Sequence, residues 1–166
     1  MRPAQPRVQT GVMSTETSTS VSRSINASAA ELFAVLGNPE RHAELDGSGF
    51  VRSTDRAERI TAVGQVFRMN MVGDHMGGEY QTDNHVVGFD ANSLIAWKTA
   101  PAGTEPPGWE WVWQLDADGS DQTTVTLTYD WSAVTDKALL SKIGFPLVTQ
   151  DQLEDTLSHL ASAVSS

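Results

Sequence analysis

The chain has no cysteine among its 166 residues. Disulfides, thiolate metal sites and a cysteine nucleophile are therefore excluded. Basic residues are scarce: 11 Lys and Arg stand against 21 Asp and Glu, a net charge of -10. Phosphates would be repelled, so neither nucleic acid nor an anionic membrane surface is an expected partner. No apolar run approaches the roughly 20 residues of a membrane span, and the first residues lack the apolar stretch of a signal peptide. A cytoplasmic location with no membrane insertion is the expectation. The chain contains no P-loop, no GxSxG and no HExxH, so no cofactor and no metal is expected. With 39% hydrophobic and 19% charged residues, what remains is an ordinary globular composition for a single domain.

What the chain does have is tryptophan in one place. Trp109, Trp111 and Trp113 alternate, followed by Leu115. A strand puts every second side chain on one face, so these four share a side. Val125, Leu127, Tyr129 and Trp131 repeat the pattern one strand later, with Thr124, Thr126, Thr128 and Asp130 opposite. Trp97 lies one strand earlier, so all 5 tryptophans fall in three neighbouring strands. A broad aromatic lining predicts a curved sheet whose inner face holds an apolar small molecule. A sheet packing its Trp face on a helix fits the alternation equally well.

Residues 1–18 carry Pro, Gln, Ser and Thr without periodicity and are expected to form a disordered tail, with Met13 as an alternative start; 19–166 form the domain. Val21, Arg23 and Ile25 alternate with serines as a first strand. Ser28 and Glu31 match a capping box, and Ala29, Leu32, Phe33 and Leu36 follow at helical spacing up to Gly37. Asn38-Pro39 starts a short second helix that fades by Asp46-Gly47. Six strands are then expected, near 49–55, 65–72 and 79–89, around Ile95, Trp97 and Thr99, along the Trp stretch, and after the Asp118-Gly119 turn. Thr135 would cap a short helical piece with Leu139, Leu140 and Ile143, which Gly144-Phe145-Pro146 interrupts. Thr149 and Gln152 repeat the capping box before a stripe of Leu153, Leu157, Leu160 and Val164.

The stretches SINASAAELFAVLGNPERHAELDGSG, GQVFRMNMV, TDNHVVGFD, IAWKTAP, PPGWEWVWQL and TLTYDWSAVTD, in that order, carry a resemblance. The chain resembles the START-like superfamily, also called SRPBCC, and in particular its polyketide cyclase/dehydrase branch common in actinobacteria. The resemblance implies an α+β helix-grip fold, a curved antiparallel sheet wrapped around a long C-terminal helix with an apolar cavity between. Members bind lipids, sterols, hormones or polyketides, and some catalyse cyclisation, aromatisation or dehydration. Fold does not fix function.

On that fold, Phe67, Met69, Met71, Trp97, Trp111, Trp113, Tyr129 and Trp131 would line the cavity. Flat rings stack on planar ligands and Met adapts to irregular shapes. Trp109 would stand at the mouth or be exposed. The third of the six strands has two registers, and a one-residue slip swaps its faces. One points Tyr80, Thr82, Asn84 and Val86 inward. The other points Asp83, His85, Val87 and Phe89 inward, and Val87 and Phe89 favour it. It would let Asp83 orient His85 for proton transfer; a solvated or structural histidine is the competing reading. His42, Glu44 and Asp46 read as a solvated helix end rather than a metal site, His75 as a loop residue, and His159 as exposed.

Three functions follow. The first is binding of an apolar, aromatic or polycyclic small molecule. The second is a cyclase/dehydratase-type enzyme moving protons with His85, Tyr80 or Tyr129. The third is a homodimer that buries the Trp face.

Overall fold

Alternating apolar and hydroxyl side chains join the strands into one sheet whose faces differ. A computed structural model describes residues 17–56, 58–138, 140 and 148–165. The strands are β1 Ser18–Ile25, β2 Val51–Arg56, β3 Val66–Gly73, β4 Gly78–Asp90, β5 Leu94–Pro101, β6 Glu110–Ala117 and β7 Thr123–Asp130. They pair antiparallel in the order β1-β7-β6-β5-β4-β3-β2. The helices are α1 Ala29–Leu36, α2 His42–Leu45 and α3 Gln150–Ser165. This is the expected α+β helix-grip architecture. The expected tail falls almost wholly outside the described residues, as do Leu139, Ile143 and the Gly144-Phe145-Pro146 interruption. Ser18 already belongs to β1, opposite Asp130.

Register follows the sequence pattern closely in β6 and β7. Trp111 faces Tyr129 and Trp113 faces Leu127, and the inward residues Val125, Leu127, Tyr129 and Trp131 are buried. On the outer face, Ser20 pairs with Thr128 at 3.0 Å and Ser22 with Thr126 at 2.8 Å through their hydroxyls. Cross-strand hydroxyl pairs of this kind add to sheet stability on a wet face. The connection after β6 is longer than a two-residue turn: it spans 118–122 and is closed by Asp118 N–H donating to the Gln122 carbonyl at 2.8 Å.

β4 corrects one expectation. The register favoured by Val87 and Phe89 is reversed along the cavity: Tyr80, Thr82 and Asn84 face inward and Asp83 and His85 face outward. The cause is a β-bulge. Pairing with β5 slips between Val86, opposite Trp97, and Gly88, opposite Ala96. The extra residue is Val87, which is exposed, while Val86 is buried and Phe89 makes an edge contact with Phe33 at 5.4 Å. A bulge changes the phase of a strand, so Val86 and Phe89 both point inward.

The helices seat as their caps predict. Ser28 and Glu31 form the capping box of α1. Thr149 and Gln152 do the same ahead of α3, with Gln152 N–H donating to Thr149 Oγ1 at 3.2 Å. Leu153, Leu157 and Leu160 of α3 are fully buried. The turn after α2 docks on α3 at Gly47. Its N–H donates to Thr156 Oγ1 at 2.9 Å, and a Cβ there would stand 2.3 Å from the Gln152 carbonyl oxygen. Only glycine permits that approach.

Candidate functional site: a cavity under the tryptophan wall

Between the sheet and the helices lies a cavity of about 210 Å3. Its inner wall comes from alternate residues of five adjacent strands. β3 supplies Phe67, Met69 and Met71; β4 supplies Tyr80, Thr82 and Asn84; β5 supplies Trp97 and Thr99. β6 with the residue before it supplies Trp109, Trp111 and Trp113, and β7 supplies Leu127 and Tyr129. The roof is Leu36, His42, Leu45, Leu153 and Thr156. Phe50, Met71, Met76, Tyr80, Trp109 and Trp111 are half-buried, whereas Phe67, Met69, Trp97 and Trp113 are buried. The cavity therefore has an open, aromatic rim and a closed floor.

Aromatic contacts fix the wall. Trp111 stacks on Tyr129 at 4.3 Å, and Tyr129 packs on Trp131 at 5.3 Å. Trp131 is buried but stands behind Tyr129 and outside the cavity lining. The other seven expected lining residues, Phe67, Met69, Met71, Trp97, Trp111, Trp113 and Tyr129, all reach the cavity, joined by Trp109.

The floor carries a short polar ladder. The Thr99 hydroxyl donates to Asn84 Oδ1 at 2.7 Å. Asn84 Nδ2 donates to the Phe67 carbonyl at 3.2 Å and to Thr82 Oγ1 at 3.3 Å. Both Nδ2 hydrogens and the Oδ1 oxygen of Asn84 are thus engaged, which fixes its amide. Trp113 Nε1 is buried with no partner among the described residues.

His42 is the residue that sequence reasoning misplaced. It is buried rather than solvated. Its ring stacks on Trp97 at 5.1 Å and meets Phe67 edge-on at 5.4 Å, and Nε2 lies 2.8 Å from the Leu36 carbonyl oxygen. Burial pushes its pKa down to about 4, only partly offset by that hydrogen bond. A signal was available: Leu36, Pro39, His42 and Leu45 recur every third residue, and all four are buried. The stripe runs through the 3₁₀ turn Pro39–Arg41, whose period is three.

The neighbouring acids behave as expected. Glu44 is exposed and paired with Arg41. Asp46 closes a turn by accepting from Ser48 N–H at 2.9 Å and Val51 N–H at 2.9 Å. No group of three metal-ligating side chains occurs among the described residues. At the rim, burial first and Asp46 second push the Tyr80 hydroxyl up to about 12, so it remains a donor at neutral pH. His159 is exposed and its Nδ1 lies 3.0 Å from the Leu45 carbonyl oxygen. His75 falls in the short turn Asp74–Met76.

His85 is not part of this site. It stands on the outer face beside Asp83, which is held there by Arg68 at 2.7 Å and 3.0 Å and by Gly103 N–H at 2.8 Å. The Arg68 guanidinium holds the Asp83 carboxyl below its ordinary value. Asp83 thus braces three segments from outside and does not orient His85 toward a ligand.

Solved structures share this arrangement at low identity. One is a START superfamily protein from Mycobacterium smegmatis, 14% identical, with a TM-score of 0.59 over 90% of this chain and 97% of that one. Another is the Zhui aromatase/cyclase of a Streptomyces species, 13% identical, with a TM-score of 0.62 over 89% of this chain and 92% of that one. The fold is START-like. No family model matches the chain. Two uncharacterized proteins of Mycobacterium tuberculosis are each 36% identical to it over 115 residues, 68% of this chain. The chain spans about half the length of these curated relatives, 48%. Within the START-like frame the sheet forms the wall of the cavity and α3 part of its roof.

Proposed function

We propose that this chain binds an apolar aromatic small molecule in the START-like cavity. The observation that carries the reading is a wall with four tryptophans, Trp97, Trp109, Trp111 and Trp113, and Tyr129, Phe67, Met69 and Met71 around open space. A sheet that merely packed on a helix would leave no such space. An apolar cavity of about 150 Å3 takes up benzene, so 210 Å3 suits one ring or two fused rings. Among the described residues no Lys or Arg lines the cavity, which disfavours an anionic ligand.

The test is titration of purified protein with the neutral two-ring fluorophore 1-naphthylamine, with native mass spectrometry for stoichiometry. The expected result is one dye per chain, quenched Trp fluorescence and displacement by naphthalene. Natively folded protein that takes up neither compound would overturn the reading.

A cyclase/dehydratase activity is the second reading. It is supported by the aromatase/cyclase among the fold neighbours and by Tyr80 and Tyr129 in the wall. Turnover of a short poly-β-ketone thioester, lost in Tyr80→Phe or Tyr129→Phe, tests it.

A further inference from the structure

Building on the binding reading, we propose that the cavity selects a phenol-type ligand, an aromatic ring whose neutral hydroxyl donates to Nδ1 of His42. The Leu36 carbonyl beside Nε2 can only accept, so Nε2 carries the ring hydrogen. The ring is neutral at working pH because burial lowers its pKa to about 4. Nδ1 is then a lone-pair acceptor. It has no hydrogen-bond partner among the described residues, although the ring lines the cavity. Stacking on Trp97 and the edge contact with Phe67 hold the ring in one orientation.

The polar ladder comes next along the wall. Phe67 faces Asn84 across β3 and β4, and Asn84 faces Thr99 across β4 and β5, so the polar ladder lies beside the two rings that hold His42. Thr99 has committed its hydrogen to Asn84. Thr82 Oγ1 accepts from Asn84 and still has its own hydrogen to give. The cavity therefore offers the His42 Nδ1 acceptor and, further along the wall, donors at Thr82 and Trp113 Nε1, inside an apolar shell where unmet polar groups are costly. A ligand hydroxyl answers the acceptor by donating to His42 Nδ1. An ether or ketone can only accept, and a carboxylate would bring charge to a wall without Lys or Arg among the described residues.

The test compares 2-naphthol, 2-methoxynaphthalene and naphthalene on the full chain at pH 7 by calorimetry. One well-made hydrogen bond in place of an unmet pair predicts about tenfold tighter binding of 2-naphthol than of 2-methoxynaphthalene. His42→Phe, which keeps an aromatic ring on Trp97, should bring that ratio close to one. In the unmodified chain with labelled histidine, the 15N resonance of His42 Nδ1 should move with 2-naphthol and not with 2-methoxynaphthalene. Equal binding of all three compounds, an unmoved resonance, or a preference that survives His42→Phe would overturn hydroxyl selection while the cavity reading stands. Binding of none of the three would overturn both.

Discussion

The two halves of the sheet are built differently. Under β1 and the first residues of β7 the interior is filled. Val21, Ile25 and Val125 pack with Leu32 of α1 and with Leu157 and Leu160 of α3, all buried, and α3 lies chiefly against β1 and also against α1, α2 and β7. Across β3, β4 and β5 most inner side chains face space, roofed by His42 and Leu45 of the 4-residue α2 together with Leu36 of α1 and Leu153 and Thr156 of α3. The filled half is held by apolar burial from within. The hollow half is held by other means: the Thr99–Asn84–Thr82 ladder on the floor, and the Arg68–Asp83–Gly103 brace outside. Empty volume is tolerated where hydrogen bonds fix the strands that hydrophobic contact does not.

Mutations should therefore cost stability in one half and recognition in the other. Leu157→Ala, in the filled half, should cost about 2–5 kcal/mol in denaturant unfolding, the usual range for a buried leucine; an unchanged midpoint would show that α3 does not grip the sheet. His42 should give the hollow half a pH signature. The unfolded chain protonates this histidine near 6.5, the folded one only near 4. Between those values the unfolded state binds more protons, so stability falls as pH drops through that window, by on the order of 3 kcal/mol. His42→Phe should flatten that part of the curve; an identical slope in the variant would place the histidine in contact with water.

The outer brace comes next in size. Asp83→Asn should cost about 1–2 kcal/mol at pH 7, the scale of a charged hydrogen bond. The Asp83 carboxyl is held below its ordinary value, so its contribution is complete above about pH 4 and is lost as pH falls through the lower folded value. Wild type and variant should converge under acid; a constant gap down to pH 2 would contradict this. Met71→Ala, at the half-buried rim, should cost about 1 kcal/mol or less yet weaken dye binding severalfold. The reverse pattern would mean that the rim is core. Removing residues 1–16 should shift the midpoint by about 0.5 kcal/mol or less, because nothing in their sequence has an apolar periodicity to bury; a large drop in melting temperature would refute that.

Legibility followed the same divide. In β6 and β7, strict alternation from Trp111 and Val125 onward gave register, inner face and most of the lining. Helix caps at Ser28 and Thr149 were equally plain, because capping is local chemistry. Failure came where position depends on non-local geometry. The inner face of β4 was misread because Val87 and Phe89 share a parity in an unbroken strand. His42 escapes a reading at helical or strand period because its stripe has the period of a 3₁₀ turn. Trp131 satisfied the alternation and still stands behind Tyr129, since a pattern gives the face but not the depth.

The bulge at Val87 also sets what kind of genetic change β4 can absorb. Substituting Val87 alters an exposed side chain and should be mild. Deleting it is another matter: the strand would keep its composition but lose its change of phase. Either Phe89 would turn to solvent, or Tyr80, Thr82 and Asn84 would leave the cavity together. A single lost codon there would thus exchange the two faces of half a strand, whereas a lost codon in the 118–122 connection would only shorten a loop.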